Sequence, residues 1–158
     1  MRAYQTLVIT LGRSMLREPV GLFFTLIFPP LLVVILGTIF GNDPTPQFDG
    51  KGFVDATLPA MSSLVVAIMG ILILPATQLQ LRESGALARL RATPLKSWTY
   101  VAADVTVHFL VGMTGVVLAL VVGMLVFGVR AQGSVLLVLV AGACGLIAFL
   151  ALGYTLAA

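Results

Sequence analysis

Four long hydrophobic runs alternate with short polar stretches along this chain, and the breaks between them predict nearly every element. Pro19–Asn42 runs for 24 residues without a charge, against the ~20 that a helix needs to cross a bilayer. Ala56–Leu81, Val105–Val129 and Val135–Ala158 add uncharged runs of 26, 25 and 24 residues. The pattern predicts an all-α membrane protein with spans at 19–42, 56–79, 105–129 and 135–158. Pro29 and Pro30 fall near the middle of the first span, where missing N–H groups predict a kink. Pro59 suits the first turn of the second span, and Pro75 predicts a bend near its far end. Gly41–Asp55, with Pro44, Pro46, Gly50, Gly52, three aspartates and one lysine, reads as an exposed loop. Arg130–Ser134 reads as a brief turn.

Two polar stretches carry helical periodicity of their own. Tyr4, Leu7, Val8, Leu11 and Met15 recur at helical spacing, with Arg2, Gln5, Arg13 and Arg17 largely on other faces. This predicts an interfacial helix over 2–18, its apolar face in the headgroup boundary and its arginines beside anionic lipid. The basic flank of a signal anchor is the alternative, and a cleaved signal peptide fits less well because the following apolar run is too long. The other stretch, Gln80–Trp98, is the longest polar interruption between spans. Arg82 and Arg89, seven residues apart, fall within about 20° on a helical wheel, with Leu87 roughly opposite and Leu90 beside it. The spacing predicts a short amphipathic helix over 81–93, with Glu83 in its first turn and Thr93-Pro94 ending it.

Composition agrees with the periodicity: 59% of residues are hydrophobic and 9% charged, against roughly 45–50% and 25% in a soluble domain. The mean hydropathy is +1.12. The net charge of +3 does not point to nucleic acid, because its basic residues gather in two juxtamembrane segments. Three lie before the first span and four in Gln80–Trp98, leaving only Lys51 and Arg130 for the other two loops. The positive-inside rule places the N-terminus and Gln80–Trp98 in the cytoplasm. Cys144 is the sole cysteine, so no intrachain disulfide forms and redox compartment is not legible.

Candidate chemistry is sparse. Asp104 and His108, four apart at the start of the third span, share a helix face, a spacing that suits a proton relay or half of a metal site. The plainer reading is an aspartate near a helix N-terminus and a hydrogen-bonded structural histidine. Ser62, Ser63, Thr77 and Cys144 stand as isolated nucleophiles without a base and an orienter in any local motif. Lys96-Ser97 lacks the glycines of a phosphate-binding loop. Ala141 and Gly145, four apart, suit close approach of a neighbouring helix. No catalytic residue, metal site or cofactor site is expected.

One segment carries a resemblance. Arg82, Glu83, Gly85, Leu87, Arg89, Leu90, Thr93 and Pro94 match the pattern E-R-E-x-G-T-L-E-R-L-x-x-[ST]-P, similar to the cytoplasmic signature of ABC-2 type transporter permeases, the membrane subunits of bacterial ABC exporters. An N-terminal amphipathic helix ending in Arg17-Glu18-Pro19, Phe28-Pro29 in the first span and Pro59 opening the second follow the family order. Leu81, Ala86 and Ala88 replace the usual Glu, Thr and Glu, removing two negative charges, and Ala60 stands where glycine is common. Family members usually have six spans, so the chain resembles the N-terminal two-thirds of one transmembrane domain.

The resemblance implies a permease without its own ATPase site, in a bacterial inner membrane, exporting a lipophilic drug, lipid or glycan. Its implied partners are an ATP-binding cassette subunit, which holds the ATP and Mg, a second copy or homologous permease, and membrane lipid, with no nucleic acid. The surface helix is implied to dock on the ATP-binding subunit through Arg82, Glu83, Gly85, Leu87, Arg89, Leu90 and Pro94. A lipid-binding basic loop explains the arginines but not Glu83, Gly85, Leu87 and Leu90. The alternatives are an intramembrane enzyme or a secondary transporter using Asp104 and His108.

Overall fold

The computed structural model describes residues 2–86, 96–129 and 135–157, and these are helical apart from their connections. Helix α1 covers Arg2–Met15. Four helices long and apolar enough to cross a membrane follow: α2 at Pro19–Phe40, α3 at Phe53–Glu83, α4 at Ser97–Phe127 and α5 at Val135–Ala157. The chain is therefore a multi-pass membrane protein. One end of the bundle carries α1 and the close of α3 and is called the basic end; the other carries the loop from Gly41 to Gly52 and is called the loop end.

Helices α3 and α4 form the centre, with α2 packed against both on one side and α5 against both on the other. Buried positions on α4 recur every three or four residues, through Tyr100, Asp104, His108, Gly112, Val116, Ala119 and Gly123. That interval keeps one stripe of a long helix facing its neighbours. Helix α5 is the least enclosed of the spans, and its sole cysteine, Cys144, is exposed on the bundle's outer surface.

Helix α1 turns its apolar face toward α4. Tyr4, Leu7, Val8 and Leu11 are half-buried and Met15 is buried, and the helix lies along α4, where the Tyr4 and Thr106 hydroxyls bond at 2.8 Å. The periodicity identifies the apolar face, and α4 covers part of it. Arg13, Arg17, Ile9 and Leu16 remain exposed.

The proline effects go beyond kinks. In α2 the five residues Phe23–Ile27 are π-helical, and Phe28 N–H bonds the carbonyl five residues back at Phe23. In α3 the same occurs over Ile68–Ile73, where Leu74 N–H bonds Met69. Each wide turn immediately precedes a segment beginning Phe28-Pro29-Pro30 or Leu74-Pro75. Proline supplies no N–H and crowds the carbonyl four residues earlier, so the turn before it opens by one residue.

At the loop end, one side chain joins three spans. Asn42 donates through Nδ2 to the Phe127 carbonyl at 3.2 Å and accepts from Asp55 N–H at 3.1 Å. It thus satisfies a carbonyl at the end of α4 and an N–H in the first turn of α3, groups that helix termini leave open. Gly52 is required beside it, since a Cβ there would overlap the Asn42 side chain.

Candidate functional site

At the basic end α3, α4 and α5 meet around a buried carboxylate. Asp104 is 3% exposed, and its Oδ2 accepts from Gln78 Nε2 of α3 at 2.8 Å and from the Tyr154 hydroxyl of α5. Gln78 also donates to the Tyr100 hydroxyl at 3.3 Å, and Tyr100 donates back to Gln78 Oε1 at 3.4 Å. His108 sits one turn deeper on α4. Its Nδ1 lies 3.0 Å from the Asp104 main-chain oxygen and 3.5 Å from Oδ1. A carbonyl only accepts, so Nδ1 carries the hydrogen in that bond. On the ring's other side, Nε2 lies 3.4 Å from the Thr77 hydroxyl, which itself donates to the Leu74 carbonyl at 2.8 Å.

Burying a carboxylate is tolerable only when its lone pairs are occupied by good donors. Here donors come from two other helices, so the carboxylate ties α3 and α5 to α4. Among the described residues no group of three His, Cys, Asp or Glu side chains converges as a metal site would require. A cavity of about 340 Å³ opens beside the knot, with Arg17, Glu18, Gln80 and Thr77 on its walls and Asp104 and His108 at its edge.

Four residues beyond Gln78, one helical turn, α3 reaches Arg82. Helix α3 ends at Glu83, with Ser84 N–H bonded to Gln80 and Gly85 N–H to Arg82. Gly85 takes φ +68°, and among the described residues nothing lies within 4 Å of where its Cβ would be. A left-handed glycine just past the last turn is the commonest way to stop a helix. The backbone conformation here thus favours glycine. Arg82 and Glu83 are exposed and lie in the final turn of α3, not in the first turn of a separate helix. The carboxylate of Glu83 therefore stands at a helix end whose dipole does not favour an anion. Leu87, Arg89, Leu90 and Pro94, with most of the expected helix over 81–93, lie outside the described residues.

The other isolated candidates resolve into structure. Ser62 and Ser63 donate to Leu58 and Pro59 of their own helix, and neither adjoins a base. Gly145 of the small-residue pair meets Val66 at an ordinary 3.5 Å, and Ala141 is exposed. A tighter approach between α3 and α5 occurs elsewhere, at Gly70 and Gly153. Sequence reasoning missed Gln78, Tyr100 and Tyr154. A signal for two of them existed: Tyr100, Asp104 and His108 step by four along α4, and Gln78 is a long amide inside an uncharged run.

The family model described as "ABC-2 type transporter" matches residues 2–158. No curated protein and no solved structure matches the chain. The match covers all but one residue, and the chain belongs to the ABC-2 type transporter family, whose members are permease components of ABC transporters.

Proposed function

Starting from membership of the ABC-2 type transporter family, we propose that this chain is the transmembrane subunit of an exporter driven by a separate ATP-binding cassette subunit. The basic end faces the cytoplasm of a bacterial inner membrane, as the loop charges favour. There Arg82, Glu83 and Gly85, with Leu87, Arg89, Leu90 and Pro94 following, form the surface that meets the ATP-binding subunit. ATP and Mg belong to that partner. A second copy of the chain or a homologous permease is its partner in the membrane, and the cargo is a lipophilic drug, a lipid or a glycan.

The observation that supports this reading is the continuity between Arg82 and Asp104. A displacement applied at Arg82 acts on Gln78 one turn away in the same hydrogen-bonded helix. Gln78 holds Asp104 of α4, and Asp104 holds Tyr154 of α5. Motion of the partner is thereby delivered to three spans together as a rigid-body shift, a recurrent mode of switching. The same engagement accounts for Asp104 and His108 without assigning them catalysis or ion transport.

The test is co-reconstitution with a cognate ATP-binding subunit, reading ATPase stimulation and ATP-dependent efflux of a lipophilic dye. Gly85→Asn keeps a left-handed turn at modest cost and retains coupling, since asparagine tolerates that conformation. Gly85→Trp adds both strain and bulk, and coupling is lost at equal membrane abundance. Wild-type stimulation by Gly85→Trp would refute the docking surface.

A further inference from the structure

The two π-helical turns leave main-chain carbonyls without donors inside the membrane, and both land on glycines of unbroken helices. Thr25 is followed by Pro29 four residues on and Pro30 five residues on. Neither the α nor the π register therefore offers its carbonyl an N–H. That oxygen abuts Gly115 of α4, where a Cβ would come closer than the 3.0 Å that real Cβ atoms respect. The hydroxyl of Thr25 is likewise buried without a partner among the described residues.

Helix α3 repeats the arrangement. The Gly70 carbonyl has Pro75 five residues on, and Leu74 N–H, four residues on, reaches Met69 instead. Its oxygen abuts Gly153 of α5, again closer than a Cβ would allow. Lipid offers such a carbonyl nothing, so covering it by a neighbouring helix is the available remedy. A glycine Cα–H supplies only a weak contact. The result is a covered break with no strong bond holding its angle.

The breaks lie between two unequal ties. Two neutral hydrogen bonds through Asn42 join α2, α3 and α4 at the loop end and can yield, whereas the buried carboxyl of Asp104 fastens α3, α4 and α5 at the basic end. Helix α4 runs from one fastening to the other as 31 residues of continuous α-helix, while α2 and α3 are each interrupted between their ends.

We propose that the Thr25–Gly115 and Gly70–Gly153 contacts are pivots, at which the loop-end halves of α2 and α3 turn against the strut α4 and the basic-end knot. Thr25, Gly70, Gly115 and Gly153 are positioning residues: they bind no cargo but set how far the loop end opens when the basic end is pushed. The part of this that concerns transport rests on the exporter reading; the pivot itself does not.

Pro75→Ala separates a pivot from mere packing, because it returns an N–H to the break and lets α3 close into regular helix without adding bulk. In full-length chain in lipid nanodiscs, with Cys144→Ala, spin labels at Leu64 and Val140 report the loop-end halves of α3 and α5. Labels at Leu79 and Leu156 report the basic end. All four positions are exposed, so labelling disturbs no packing. The expected result is a broad distance distribution for Leu64–Val140 and a narrow one for Leu79–Leu156, with the broad component lost in Pro75→Ala. A thermal midpoint that is unchanged or raised in Pro75→Ala shows that the narrowing is not damage. Equal widths for the two pairs, or a Leu64–Val140 width indifferent to Pro75→Ala, would overturn the pivot. If the width responds to Pro75→Ala but a nucleotide-trapped ATP-binding subunit shifts neither distance, the pivot stands and the exporter reading fails.

Discussion

Helices α2 and α3 and helices α4 and α5 solve the same problem in opposite ways. All four are apolar and long enough to span a membrane, yet the first pair carries prolines inside the bilayer and the second pair carries none. The first pair is interrupted by π-helical turns, the second is regular throughout. The unbroken helices place glycines where the broken ones expose carbonyls, at Gly115 and Gly153. A proline in one span thus sets a demand for a glycine in another, because an uncovered carbonyl in lipid costs several kcal/mol. Regular helices serve as the surface on which irregular ones are tolerated.

The largest expected effect comes from cutting the junction of the two pairs. Asp104→Ala removes the acceptor for Gln78 of the broken pair and Tyr154 of the regular pair. Leaving two buried neutral donors without an acceptor costs about 1–3 kcal/mol each. Unfolding of the purified protein in mixed micelles, titrated with denaturing detergent, measures it; a loss below about 1 kcal/mol, the ordinary worth of a single hydrogen bond, would mean that the knot does not join the pairs.

Next in size is the contrast between two glycines on the same regular helix. Gly153→Ala sets a methyl against the Gly70 carbonyl and is expected to cost about 1–3 kcal/mol, as overpacking usually does. Gly145→Ala meets only Val66 at 3.5 Å and is expected to lie within about 0.5 kcal/mol of wild type. Parallel detergent titrations of the two variants decide the matter, and equal costs would show that carbonyl cover is not what distinguishes Gly153.

The smallest effect carries the opposite sign. Among the described residues, nothing lies within 4 Å of a would-be Cβ on Gly12 of α1. Gly12→Ala should stabilise α1 by up to about 0.8–1.0 kcal/mol, the difference in helix propensity. Amide exchange of α1 measures it, and slower exchange in the variant is the expected outcome. Faster exchange would place Gly12 in the same class as Gly115 and Gly153.

What the chain determined by itself was whatever depends on a local count. Four uncharged runs of 24 to 26 residues predict four spans, and the structure has four such helices, because the decision to enter a bilayer is made segment by segment. The apolar stripe of α1 and the disturbances at Pro29-Pro30 and Pro75 were equally legible, since each follows from neighbours within a turn or two. Arg82, Glu83 and Gly85 were legible as a motif, whereas the assignment of Glu83 to a helix start depended on where α3 stops. That point is set by the left-handed Gly85, whose φ no composition reveals.

Only the tertiary structure decided which surfaces those elements meet. Asp104 and His108 stood out in sequence as a pair, but Gln78 and Tyr154 lie 26 and 50 residues from Asp104. Their convergence depends on the rotation of three helices about their own axes. The same holds for α1, whose apolar face reads identically whether lipid or α4 covers it, and for Gly153, one of 16 glycines. Hydropathy measures the transfer of a side chain out of water and is blind to direction. Rotation and depth are set by packing between helices, so the partner of each buried polar atom is a property of the assembled bundle.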